Sequence, residues 1–248
     1  LKLLADIGNS RIKWSCQGEV GLGGMQTAVY IKADAGACLD EHWKILDKPE
    51  QLWVANVAGK SVADQLTRWT LRRWGIEPRY AEVSAAAAGV RNAYAEISQL
   101  GVDRWLALIA AWRKYAAAAC IVDCGTAVTI DGLDGTGRHL GGLIFPGVSM
   151  MRQALYQTTS GIPAAGKVNF RRGLADNTHQ GVLTGCTMAV VALIDRTVDE
   201  LMENTGGKLN CVITGGGAVD ILPLLQASFI HEPLLVLEGL AVIAGGNS

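Results

Sequence analysis

Two short turns of one chemical type stand in the two halves of the chain, Asp6-Ile7-Gly8-Asn9-Ser10 and Asp123-Cys124-Gly125-Thr126-Ala127. In each, a carboxylate closes an apolar strand-like run and a glycine lets the backbone bend tightly. A small amide or hydroxyl side chain then points back toward the acid. Such a turn can hold phosphate oxygens on its N–H groups and a metal ion on its carboxylate. One D-x-G-[NT] turn reads as a hairpin corner. Two copies, one per half, are harder to read as ordinary corners. The first turn runs into Arg11 and Lys13, two cations on one side of a period-2 strand. They either face a polyphosphate or form an exposed edge-strand pair. The second turn adds Thr126 and Thr129 but no adjacent cation, which suits a metal ion on Asp123 or phosphate orientation by backbone N–H groups.

Three further constellations carry chemistry. Gly101-Val102-Asp103-Arg104-Trp105 sets an acid and a guanidinium at a helix start. There Asp103 either caps the helix or accepts a proton from a substrate hydroxyl while Arg104 binds an anionic group. Gly215-Gly216-Gly217 lies between a buried strand and a helix, where bare backbone admits a planar base or sugar, or a close strand-helix crossing. Gly141-Gly142 through Pro146-Gly147 is either a surface for substrate or a tight connection. Neither G-x-G-x-x-G nor G-x-x-x-x-G-K-[ST] occurs, so Rossmann and P-loop readings lose their main support.

The elements that must position these residues follow from periodicity. Residues 2–5 and 11–15 form a hairpin around the first turn, with strands at 28–33 and 52–57. A helix over 61–74 stops at Gly75, with Pro78 beyond, and another begins near Asp103 within 101–119. The second half repeats the plan with strands at 120–123, 128–133 and 138–144. Asn177-Thr178 opens a long helix with Val182, Cys186, Ala189, Leu193, Val198 and Leu201 at helical spacing up to Gly206, and strands at 211–214 and 234–237 follow. Hairpins first and strand-helix alternation later predict two similar α/β domains, 1–115 and 116–248, facing each other.

Composition narrows the function. Of 248 residues half are apolar and 18% charged, with a net charge of −1. This balance gives no electrostatic footprint for nucleic acid or an anionic membrane. Arg68, Arg72 and Arg73 read as a solvated helix face. No apolar stretch is expected to span a bilayer, and Asp6, Arg11 and Lys13 interrupt any signal core, so the expected location is cytoplasmic. The six cysteines include no C-x-x-C pair, and the four histidines (His42, His139, His179, His231) read as surface or polar-network residues.

Taken together and in order, these segments resemble the type III pantothenate kinases, small bacterial enzymes of the actin-like, hexokinase-like ATPase superfamily. The similarity rests on Asp6 to Ser10 with Lys13, Leu100 to Trp105, Asp123-Cys124-Gly125-Thr126, Gly141-Gly142 through Pro146-Gly147, Asn177-Thr178 and Thr214 to Gly217. The resemblance implies a duplicated ribonuclease-H-like fold with a nucleotide cleft between its two domains and a homodimer. It also implies transfer of the ATP γ-phosphoryl group to pantothenate, opening coenzyme A synthesis; the near-neutral charge adds the expectation of no nucleic-acid or membrane partner. By the same resemblance Asp6, Ile7, Gly8, Asn9, Ser10, Arg11, Ile12, Lys13 and Thr126 bind ATP. Asp103 is the proton acceptor, while Tyr94, Gly101, Val102, Asp103, Arg104 and Thr178 contact pantothenate. Asp123 holds a monovalent cation, potassium or ammonium, and ATP arrives with Mg2+. Ile97 stands where the family often has proline. Other functions compatible with the two turns are a different small-molecule kinase, an actin-like filament ATPase, and a transcription accessory factor, as some relatives have been described.

Overall fold

The computed structural model describes residues 1–162 and 169–246. In chain order the elements are β1 (Lys2–Ile7), β2 (Arg11–Gly18), β3 (Gly21–Leu22), β4 (Gln26–Val29), α1 (Ala35–His42), β5 (Gln51–Asn56), α2 (Lys60–Trp74), β6 (Arg79–Tyr80), β7 (Ala86–Ala87), β8 (Val90–Arg91) and α3 (Val102–Tyr115). There follow β9 (Ala119–Cys124), β10 (Ala127–Leu133), β11 (His139–Pro146), α4 (Val148–Thr158), α5 (Thr178–Asn204), β12 (Asn210–Thr214), α6 (Ala218–Ile221), β13 (Ile230–His231) and α7 (Leu235–Ala244). The chain forms two compact units, one of Leu1–Ala116, Gly137–His139 and Leu234–Ser248, the other of Ala117–Thr136 and Leu140–Pro233.

One sheet plan occurs in both. The first unit has the order β3-β2-β1-β5-β6, with β4 also on β2, and the second β11-β10-β9-β12-β13. The middle strand pairs antiparallel with the next strand of its hairpin, β1 with β2 and β9 with β10. On its other side it pairs parallel with a later strand, β1 with β5 and β9 with β12. Leu3, Leu4, Ala5 and Ile7 of β1 and Ala119 to Val122 of β9 are buried in succession. An uninterrupted apolar run is what a strand covered on both faces requires.

Helix α2 buries Val62, Leu66, Trp69 and Trp74 while Arg68, Arg72 and Arg73 stay exposed, as expected. It ends at Gly75, whose left-handed φ of 65° lets its N–H reach the Leu71 carbonyl. Beneath it Trp14, Trp43, Trp69 and Trp74 form one cluster, with Trp43 stacked on Trp74 at 6.0 Å and Trp69 edge-on to Trp74 at 5.0 Å. Each such pair adds about 0.5–1.5 kcal/mol beyond its buried area. α3 buries Trp105, Leu106, Leu108 and Ile109, and packs on α7 so closely that a Cβ at Gly239 would lie 2.0 Å from the Leu106 carbonyl oxygen.

Several expectations are corrected. Residues 234–237 open the helix α7, and the last strand of the second sheet is Ile230–His231. A continuous apolar run carries no period to separate strand from helix, and the length of ten residues decides for helix. α1 and α4 were not foreseen: α1 is a short helix capped by Asp34, and α4 has no side-chain cap and no fully buried residue. By length and composition alone α5, 27 residues, does reach what a bilayer crossing needs, contrary to the sequence reading. It is amphipathic within its unit, burying Val182, Cys186, Val190, Ile194 and Val198.

Candidate active site

The first turn is set by the β1–β2 register, which pairs Ile7 with Ile12 and Asp6 with Lys13. The Gly8 N–H donates to the Arg11 carbonyl at 3.0 Å and closes the bend. Asp6 is buried, and Lys13 Nζ lies 3.6 Å from its carboxylate with the lysine side chain only 19% exposed. Arg11 is exposed on the same face of β2. Two residues that the sequence reading missed complete this corner. Tyr30 donates its hydroxyl to the Gly8 carbonyl at 2.8 Å, and Lys32 donates its ammonium to Asn9 Oδ1. Burial pushes the Tyr30 phenol up to about 12, so it remains a donor at neutral pH. Twenty-odd residues separate these side chains from the turn, and no local signal announces the contact.

The second turn repeats the geometry with one residue fewer, Gly125 N–H donating to Ala127 carbonyl at 3.0 Å. Here the register partner of the aspartate is neutral, Asp123 facing Thr129 across the hairpin. On the parallel side Asp123 is in register with Thr214. Thr214 is wholly buried, and its hydroxyl has no hydrogen-bond partner among the described residues. Gly215, at φ 91°, runs directly over the carboxylate, where a Cβ would sit 2.3 Å from Asp123 Oδ1. Gly217 donates its N–H to the Cys124 carbonyl at 2.8 Å. Gly215 and Gly217 therefore serve a close backbone crossing. Gly147, the residue before α4, donates to the Thr126 carbonyl at 3.0 Å. The uncapped start of α4 thus stands at the second turn, and free helix N–H groups there can meet a phosphate. Burial, aided by the negative charge of Asp123, pushes the Cys124 thiol up to about 12, which leaves it protonated and unreactive. Between these features β11 is mostly exposed and is not a tight connection.

Asp103 lies in the first turn of α3, and its Oδ1 accepts the N–H of Arg104 at 2.8 Å. The carboxylate folds back over position 101, where a Cβ would lie 2.5 Å from Oδ1. Only glycine leaves that space. Beside it Arg104 is 5% exposed, donates Nη1 to the Tyr94 hydroxyl at 3.0 Å, and holds its guanidinium carbon 5.6 Å from the Tyr94 ring centre. Val102 is buried under the helix start. The Tyr94 N–H is in turn held by Asn92 Oδ1 at 2.9 Å. The first unit thus brings Tyr94, Gly101, Asp103 and Arg104 into one arrangement: a carboxylate that can take a proton beside a guanidinium that can bind an anion. Thr178 belongs to the second unit as the exposed first residue of α5, next to Asn177, whose Oδ1 caps the helix through Gln180 N–H at 3.0 Å. His139, expected at a surface or in a polar network, is wholly buried against Tyr94.

A family model described as type III pantothenate kinase matches residues 2–200. A curated type III pantothenate kinase of Nitrosococcus oceani is 41% identical over 99% of this chain and 94% of its own, and that of Halorhodospira halophila 37% identical over 97% and 96%. Among solved structures, a protein of Campylobacter jejuni described as a Baf family transcriptional activator superposes with a TM-score of 0.63 at 18% identity, covering 99% of this chain and 100% of its own. A 2-dehydro-3-deoxygalactonokinase of Sinorhizobium meliloti does so with 0.57 at 13%, covering 99% of both. These likenesses, with the repeated sheet order, show a duplicated ribonuclease-H-like fold. With the family model matching most of its length and curated members matching nearly all of it, the chain belongs to the type III pantothenate kinase family.

Proposed function

We propose that the protein transfers the γ-phosphoryl group of ATP to the primary hydroxyl of pantothenate, giving 4′-phosphopantothenate and opening coenzyme A synthesis. The observation that carries this reading is the start of α3, where Asp103 is folded over Gly101 beside an Arg104 fixed by Tyr94. Phosphoryl transfer passes through a loose, charge-spread transition state, so alignment and cations supply most of the catalysis. Asp103 orients the attacking hydroxyl and takes its proton late. Arg104 binds the pantothenate carboxylate, with Tyr94, Gly101, Val102 and Thr178 as further contacts. ATP, entering as its magnesium complex, is held along Asp6, Ile7, Gly8, Asn9, Ser10, Arg11, Ile12 and Lys13 and at Thr126.

Asp123 is the proposed ligand of a monovalent cation, potassium or ammonium. Its surroundings fit such an ion: a carboxylate under the Gly215 backbone, with the Thr214 hydroxyl in register on the next strand, is an oxygen site for a hard cation. When bound, the ion adds positive charge beside the phosphates. The protein is proposed to act as a homodimer in the cytoplasm. Sedimentation of a dimer at micromolar concentration is expected, and a monomer would refute that part.

The test is ADP release from magnesium ATP, with and without pantothenate, in potassium and again in sodium buffer. Release that needs both pantothenate and potassium is expected. Release indifferent to pantothenate refutes the acceptor, and equal rates in the two buffers refute the cation role of Asp123.

A further inference from the structure

His139 lies on the first strand residue after the β10–β11 loop, yet the three residues Gly137–His139 are grouped with the first unit. They are pinned there by backbone. The Arg91 N–H donates to the Gly137 carbonyl at 2.9 Å, and Arg91 and Arg138 form a parallel bridge. Gly137, at φ 78°, approaches Gly89 so closely that a Cβ would lie 2.3 Å from the Gly89 carbonyl oxygen. Gly89 itself, at φ 87°, leaves no room for a Cβ, which would meet Trp112 Nε1 at 2.5 Å. Two positive-φ glycines and a tryptophan thus fix where residue 139 emerges.

What emerges is an imidazole with no exposed surface, its ring centre 5.8 Å from that of Tyr94 and its plane tilted by 13°. That is offset stacking at a distance where aromatic pairs attract. The phenol that His139 supports is the one that accepts the Arg104 guanidinium at 3.0 Å, and Arg104 directly follows Asp103 on α3. The Tyr94 segment has little regular structure of its own: it follows the two-residue strand β8, and its next element is the short 3-10 turn Ile97–Gln99. A buried flat surface is the means by which such a segment can hold one ring orientation.

We propose that His139 is a positioning residue for the acceptor site, acting through Tyr94 on Arg104. The inference rests on the reading of Tyr94 and Arg104 as pantothenate contacts. It assigns His139 no contact with substrate and no proton transfer.

The test is a double-mutant cycle on the full-length enzyme with Tyr94→Ala, His139→Ala and the double variant, measuring KM for pantothenate, KM for ATP, kcat and the melting temperature. His139→Ala is expected to raise KM for pantothenate by about three- to tenfold, the size of one aromatic pair, with KM for ATP unchanged. His139→Phe, which restores a flat ring, should bring it back to within about twofold. In the Tyr94→Ala background, loss of His139 should add nothing further, because its effect passes through the missing ring. If His139→Ala fails to fold, His139→Leu fills the space without a planar face and takes its place in the cycle. A KM for pantothenate unmoved by loss of His139, or raised by the same factor with and without Tyr94, overturns the proposal while leaving the site reading intact. A KM unmoved by Tyr94→Ala alone refutes the site reading, and the proposal falls with it.

Discussion

Replacing Gly101 by alanine tests whether the Asp103 carboxylate is held where it reacts. The new methyl would lie 2.5 Å from Oδ1, whereas ordinary contact begins near 3.4 Å, so the oxygen must retreat by about 0.9 Å. The backbone does not oppose the change, since φ −61° and ψ 136° at Gly101 suit alanine. Losing glycine just before the helix costs about 0.5–1 kcal/mol, and the lower chain entropy of the unfolded alanine variant returns about as much. Stability should stay within about 1 kcal/mol of the parent. Activity should not: a misplacement of about 1 Å at the reacting group costs up to about a hundredfold in rate. The assay is ADP release at saturating ATP and pantothenate, with a melting curve on the same sample. The double variant Gly101→Ala, Asp103→Asn should be no slower than Asp103→Asn alone, because the methyl acts through the carboxylate it displaces. A folded Gly101→Ala enzyme with kcat within about threefold of the parent would refute the reasoning.

Asp103→Asn keeps an oxygen that can accept the Arg104 N–H at the helix start, so melting should change little while kcat falls by roughly two to four decades and KM for ATP holds. Parent-like turnover would remove Asp103 from the mechanism. Burial pushes the thiols of Cys124 and Cys211 from 9.0 up to about 12 and about 11, so above about pH 9 the unfolded chain loses these protons before the folded chain does. The urea midpoint should therefore be unaffected by these thiols below about pH 8.5 and fall above about pH 9, less steeply in Cys124→Ala, and an equally steep fall in that variant would contradict the assignment. Gly239→Ala sets a Cβ 2.0 Å from the Leu106 backbone oxygen and should destabilise by about 1–3 kcal/mol, whereas Gly185→Ala, with nothing within 4 Å, should stabilise α5 by up to about 1 kcal/mol. Equal melting temperatures for the two would refute the packing argument.

The parts of this fold that were legible are those governed by neighbours in sequence. The two aspartate turns, the left-handed stop of α2 at Gly75 and the Asn177 cap of α5 each follow a local rule, and each lies where that rule placed it. α7 was misread because Leu235 to Leu237 is apolar without a break, and such a run carries no period that separates helix from strand. α4 escaped because nothing local marks its start: Gly147 carries no capping side chain, and the helix follows the second turn by a backbone contact. In the site, Asp103 and Arg104 were readable as a pair. The supports of the first turn and of Tyr94 were not. Tyr30, Lys32 and His139 reach their places through tertiary packing, across separations that no motif spans.

The duplication itself argues for a division of labour. Asp6 and Asp123 end equivalent strands, and a glycine N–H closes each bend onto a carbonyl beyond it. What differs is the residue across the hairpin, Lys13 in one copy and Thr129 in the other. A buried aspartate 3.6 Å from an ammonium already has its counter-charge, and it fixes that ammonium on β2. Asp123 instead has threonine in register on both sides, Thr129 across the hairpin and Thr214 on the parallel strand. Under the proposed assignment the first copy supplies its cation from the chain and the second takes one from solution, so Lys13→Met and Asp123→Asn should fail differently: the first by raising KM for ATP in any salt, the second by removing the difference between potassium and sodium. Identical salt responses in the two variants would mean that the register partner does not set the role.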